Sequence, residues 1–275
     1  MAQAPDNAPT PQTVIRSYLI IAGIYNLSAS IIWGVNTLFL LEAGLNIAEV
    51  FIANAAFTVG MVLFEIPTGV LADTAGRRAS FLLSVVVLSA TTLGYLAASE
   101  TGGTLLAFII VSIFMGLGFT FYSGAVEAWL VDALAHTGYD GELDHVFARG
   151  SMVTGAAMLI GSVGGGIIGT ADLAFPFMVR AGLLLLAFIV AYFTMFDLGY
   201  QPRALKLARI PAEMRDVASA SITYGWKLPN VRLLMIGGLI QGGFMMWAFY
   251  AWQPYFLELF GAPDAVYIAG IVTAL

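Results

Sequence analysis

The 275-residue chain contains no cysteine, which excludes disulfides, thiolate metal sites and cysteine nucleophiles and leaves its redox compartment unreadable. Charge is scarce as well. Only 10% of the residues are Asp, Glu, Lys or Arg, against roughly a quarter in an ordinary soluble domain. The formal net charge of -6 removes the electrostatic footprint of a nucleic-acid binder, so no nucleic-acid partner is expected. The two histidines, His136 and His145, fall in a predicted polar loop at a spacing that fits no standard zinc site. With no nucleophile-and-base pair beside them, neither a metal, a cofactor nor an enzyme is expected.

Apolar sequence is abundant. Hydrophobic residues make up 60% of the chain, in repeated stretches of about twenty residues that match the hydrocarbon thickness of a bilayer. They lie near 17–41, 50–72, 79–99, 104–131, 149–171, 175–197 and 231–257, and an eighth begins near 265 and stops at Leu275. Continuous runs of this kind select helices over the alternating strands of a barrel. The expectation is an all-α integral membrane protein with seven complete transmembrane helices and a truncated eighth. Residues 1–13, rich in Ala, Pro and Gln, read as a disordered tail rather than a cleaved signal, because no basic region precedes the first span.

Basic residues give the orientation, since short cytoplasmic loops retain Lys and Arg. Arg16, Arg77, Arg78, Arg149, Arg203, Lys206, Arg209, Arg215, Lys227 and Arg232 all fall on the side of the amino terminus if each complete segment crosses once. The opposite loops carry Glu42, Glu49, Glu100, Asp172, Glu258 and Asp264 and no Lys or Arg. Arg180 alone lies within a span. A multi-pass protein of the plasma (inner) membrane with a cytoplasmic amino terminus follows.

Between the second and third runs stands GVLADTAGRR, residues 69–78, with the only adjacent pair of arginines in the chain. Gly69, Leu71, Ala72, Asp73, Gly76, Arg77 and Arg78 match the pattern of the signature loop of the major facilitator superfamily (MFS), which this chain resembles. Thr74 stands where that family often has a basic residue. The resemblance implies an MFS-type helical bundle of two six-helix halves, here an amino-terminal half at 14–198, a basic cytoplasmic linker at 199–230 and the start of a second half at 231–275. GSVGGGIIG, Gly161 to Gly169, is similar to a Gly-rich element of drug antiporters, with Ser162 in place of its Pro; helix packing explains such glycines equally well. In SIFMGLG the corresponding family element begins with Arg, whereas this chain has Ser112.

Polar residues inside these runs repeat at helical spacing. Asn26, Trp33 and Asn36 share a face of span 1; Asn54, Thr58, Met61 and Glu65 one of span 2; Thr120, Ser123 and Glu127 one of span 4. Gln241, Tyr250 and Gln253 add to them from span 7, where Pro254 is positioned to break the helix. As a set they suit the lining of a substrate cavity; singly, each suits a bond between helices. Glu127, with Glu65 second, is the candidate for proton coupling, against a fixed ion pair with Arg77, Arg149 or Arg180. Asp73, Arg77 and Arg78 are expected to form a conformational latch with Asp132, Glu142 and Arg149.

The resemblance implies a monomeric secondary transporter of a small solute by alternating access, with proton-coupled efflux as the expected direction. An uncoupled facilitator or an importer on the same fold is the alternative. A non-transporting receptor or an enzyme is the reading from another class.

Overall fold

The structure, a computed structural model, describes residues 9–200, 210–259, 261 and 266–274 and is helical, with no strand among them. The helices run in chain order α1 (Pro11–Ser30), α2 (Asn36–Glu42), α3 (Ile47–Ala75), α4 (Arg77–Glu100), α5 (Leu105–Tyr122), α6 (Ala125–His136), α7 (Leu143–Gly169), α8 (Phe175–Thr194), α9 (Ile210–Ala220), α10 (Pro229–Leu259) and α11 (Val266–Ala274). A π-helical turn, Ser221–Trp226, joins α9 to α10.

Six of these are long and apolar enough to cross a membrane: α3, α4, the α5–α6 pair taken together, α7, α8 and α10. The count falls short of the expected seven because span 1 is divided into α1 and α2, neither of which is by itself both long and apolar enough. Span 1 breaks at Ile31–Val35, between α1 and α2. Ser30 sits at the break, its hydroxyl bonded to the Asn26 carbonyl at 2.8 Å and within 3.4 Å of Ala157 O on α7; Ser back-bonding of this kind bends helices. Span 4 breaks at Ser123–Gly124, where Gly124 takes φ +71. The expected Thr120, Ser123, Glu127 stripe therefore does not run along a single helix.

Other boundaries differ for local reasons. Residues 11–13 of the expected tail belong to α1, which starts with Pro11 and is capped by Thr10, whose hydroxyl accepts from Thr13 N. His136 closes α6 and His145 lies in the first turn of α7, so neither is in the loop expected for them. In the expected linker, α9 and the π turn are helical, while Arg203, Lys206 and Arg209 lie outside the described residues. Pro254 does not break α10, which continues to Leu259.

The bundle closes on small residues. A Cβ on Gly60 would overlap the Ile113 backbone, and one on Gly116 the Phe57 carbonyl, so α3 and α5 cross backbone to backbone. Ser80 and Ser84 on α4 donate to the Phe121 and Gly118 carbonyls of α5 at 2.8 and 2.7 Å. On α7 the glycines serve two neighbours. Gly161 and Gly165 face Leu27, Ser30 and Ile31 at the end of α1 and its break, and Gly166 packs on Gly270 of α11.

Candidate functional site

The GVLADTAGRR segment is not a loop. Helix α3 continues through Asp73 to Ala75, α4 starts at Arg77, and Gly76 alone separates them with φ +105, ψ 155. Only glycine holds that conformation without strain. Arg77 Nη2 lies 2.8 Å from Asp73 Oδ1, an ion pair across the corner with both side chains about a quarter exposed.

The corner is strapped by the segment that leaves α8. Asp197 Oδ1 accepts from the Arg78 N–H at 2.9 Å, and a Cβ on Gly76 would collide with the same carboxylate. Gly76 has no side chain to cap α4, so Asp197 supplies the cap from a remote part of the chain. Arg78 in turn donates through Nη2 to Tyr192 O at 2.6 Å, its guanidinium 4.9 Å from the Tyr192 ring centre and 5.7 Å from that of Phe196. Trp129 of α6 donates to Phe196 O at 2.6 Å, and Gly199 lies against Asp132 O and His136. Tyr200 packs within electrostatic reach of Asp73, Arg77 and Asp197; burial pushes its hydroxyl above the ordinary phenol value, with Arg77 acting in the opposite sense. Residues 195–200 thus join the α3–α4 corner to the end of α6.

Of the expected latch residues, Asp73, Arg77 and Arg78 are held in this cluster. Asp132 approaches it through its backbone. Glu142 and Arg149 are exposed; Glu142 stands 3.7 Å from His145, and among the described residues Arg149 makes no ion pair. Gly150 beside it is pressed against the Tyr18 ring, fixing the entry of α7 onto α1. Gly69 and Leu71 lie within the last turns of α3.

The second feature is a cavity of about 280 Å³ inside the bundle. Trp33 and Asn36 from the broken span 1, Asn54 from α3, Tyr95 from α4, Arg180 from α8 and Tyr250 from α10 contribute to its wall. Asn36 Nδ2 donates to Asn54 Oδ1 at 3.0 Å, and Asn54 Nδ2 to Val50 O at 2.9 Å. The pair is therefore oriented, with Asn36 Oδ1 left to accept. A cleft of about 580 Å³ between α3 and α10 shares Asn54 and Tyr250 and adds Thr58 and Trp247.

Helix breaks supply polar contacts beside this cavity. Gln253, fully buried, donates to the Trp33 carbonyl at 2.7 Å, within the interruption between α1 and α2. Pro254 has no N–H for the Tyr250 carbonyl four residues back, and the Thr37 hydroxyl donates to that carbonyl instead at 3.2 Å. Pro254 thus frees a carbonyl without the expected break in α10.

Other expected cavity residues lie elsewhere. Asn26 bonds its own helix at Ala22 O, and Thr120 bonds Leu117 O. Ser123 and Gln241 are exposed. Glu65 and Glu127 are also exposed, neither lines the cavity, and neither is ion-paired among the described residues, so the fixed ion pair considered for them is absent there. Among the described residues no cluster of His, Asp and Glu could hold a metal.

The helical bundle, its Gly76 corner and the cavity at a broken helix accord with the sequence comparison. The family model of the Major Facilitator Superfamily matches residues 18–275. This chain belongs to that superfamily. It is a multi-pass membrane protein, and its family is one of membrane transporters. No curated protein matches the chain.

Two residues of the MFS bundle have roles not drawn from sequence reading: Asp197, for which a single acid at the end of the sixth run gave no signal, and Arg180. The signal for Arg180 was present. Phe177, Arg180, Ala181, Leu184, Ala187 and Ala191 repeat on one buried face of α8, and an arginine in such a stripe has to face the protein interior.

Proposed function

We propose that the chain is a secondary transporter that carries a small solute through the cavity by alternating access. The observation that carries this is the cavity at a discontinuous helix, walled by oriented amides and by elements from both sides of the 199–230 segment. Broken helices with exposed backbone groups at mid-depth are how transporters of this kind bind solutes. In this reading α1 and α2 form one crossing, which makes seven complete spans with α11 beginning an eighth. Residues 14–198 form one half, 199–230 the linker, and 231–275 the start of the second half. The distribution of basic residues supports a cytoplasmic amino terminus. The Asp73–Arg77 pair and the Asp197 strap then act as the cytoplasmic latch, stabilising one access state.

Coupling to protons, through Glu127 or Glu65, and efflux complete the proposal. Both carboxylates are exposed and neither is ion-paired among the described residues, which supports a role other than a fixed pair between helices. The test is solute flux in sealed vesicles with and without a pH gradient. Flux that follows the gradient supports the coupled transporter; flux indifferent to it leaves an uncoupled facilitator. A protein that binds solute and moves none is a receptor.

A further inference from the structure

Among the described residues Arg180 is the one charged residue in the cavity wall. It is only 7% exposed, its Nε is buried without a partner, and its guanidinium makes no hydrogen bond or ion pair with any described residue. The ionisable side chains that act on it are Tyr25 and Tyr95, both neutral near pH 7 given the ordinary phenol value of about 10. Among the described residues no carboxylate compensates it. A buried charge is costly unless something pairs with it, and the residues of this cavity do not.

We propose that the cavity takes its solute as an organic monoanion, with a carboxylate bound by the Arg180 guanidinium. This rests on the reading of the cavity as the transport site. A guanidinium presents parallel N–H groups that match the two oxygens of a carboxylate. One cation neutralises one negative charge; a doubly charged phosphate would leave a charge uncompensated in a medium of low polarity. Trp33, Phe57, Phe119 and Phe249 form an aromatic wall for the body of the solute, and Asn36 Oδ1 offers it one acceptor. At about 280 Å³ the space lies at the lower edge of the range of about 300–1,000 Å³ usual for small-molecule pockets, so the solute is compact.

The experiment is isothermal titration of the full chain, purified in detergent at pH 7, with matched acids and amides: benzoate and benzamide, phenylacetate and phenylacetamide, cyclohexanecarboxylate and its amide. At least one acid should bind about tenfold or more tighter than its amide, the scale of a hydrogen bond to a charged group. Arg180→Gln should erase that preference and Arg180→Lys retain part of it. Because the guanidinium has no partner among the described residues, Arg180→Gln without ligand should keep its helicity and melt no lower than the parent. Amides binding as well as acids, an undiminished acid preference in Arg180→Gln, or no acid in the set binding the folded parent overturns the assignment. The same pairs in proteoliposomes separate it from the transport reading. Flux of amides without preference for acids removes the anion site and spares transport; tight acid binding with no flux of any solute does the reverse.

Discussion

Asp197 stands one residue beyond the aromatic that flanks Arg78, and its carboxylate meets the Arg78 N–H at the α4 amino terminus, where the local sequence supplies no side-chain cap. Loss of such a cap costs about 1 kcal/mol, so Asp197→Ala should lower the stability of the detergent-purified protein by about that amount in urea or thermal unfolding. Asparagine caps nearly as well, and Asp197→Asn should lose less than half as much. Equal unfolding of parent and alanine variant would show that water caps α4 equally well. Gly76→Ala tests the same corner from the other side. Its φ of +105 and its contact with Asp197 should make it the more damaging change, about 1–3 kcal/mol by the usual cost of a strained backbone. If Gly76→Ala is no worse than Asp197→Ala, the corner is relaxed in some other conformation.

Among elements, α7 shows what a sequence run does and does not reveal. The glycines from Gly161 to Gly169 could be read as a packing face or as a functional element, and composition alone does not divide them. Their contacts do: a Cβ on Gly165 would overlap the Ile31 carbonyl, whereas one on Gly164 meets nothing. Gly165→Ala should therefore reduce the yield and melting temperature of folded protein, while Gly164→Ala should be neutral or raise stability by up to about 1 kcal/mol through helix propensity. Matching behaviour of the two variants would mean that α1 and α7 do not cross as described. Helix type and approximate span were legible because hydrocarbon thickness imposes length and apolarity. The breaks at Ile31–Val35 and Ser123–Gly124 were not, since Ser and Gly are tolerated within membrane helices and only their partners decide whether the helix yields. Trp33, Asn36, Asn54 and Tyr250 were legible as cavity residues, being polar or amphipathic positions inside apolar runs. Asn26 and Thr120 carry the same signal and instead bond their own helices.

At the scale of the whole molecule, the absence of cysteine makes topology directly measurable, since any introduced cysteine is the sole thiol. Glu142 and Glu100 are both exposed and terminate opposite sides of the bundle in the proposed orientation. Glu142→Cys should resist a membrane-impermeant maleimide applied to intact cells and react after permeabilisation, while Glu100→Cys should react in both. The reversed pattern would invert the sidedness and with it the meaning of the Asp73 cluster. With sidedness established, the proposed latch makes a kinetic demand. Asp73 lies at the α3–α4 corner, away from the residues that wall the cavity, so its charge can alter the balance of access states without touching bound solute. Asp73→Asn removes the carboxylate partner of Arg77 and should lower the turnover of solute about tenfold, about 1.4 kcal/mol, near the low end of the roughly 1.5–3 kcal/mol of a hydrogen bond to a charged group present in one state only. The dissociation constant should change much less. Turnover and binding measured on the same preparation decide it: a loss confined to affinity would mean that the corner shapes the cavity, and unchanged turnover would mean that the Asp73–Arg77 pair persists equally in every state of the cycle.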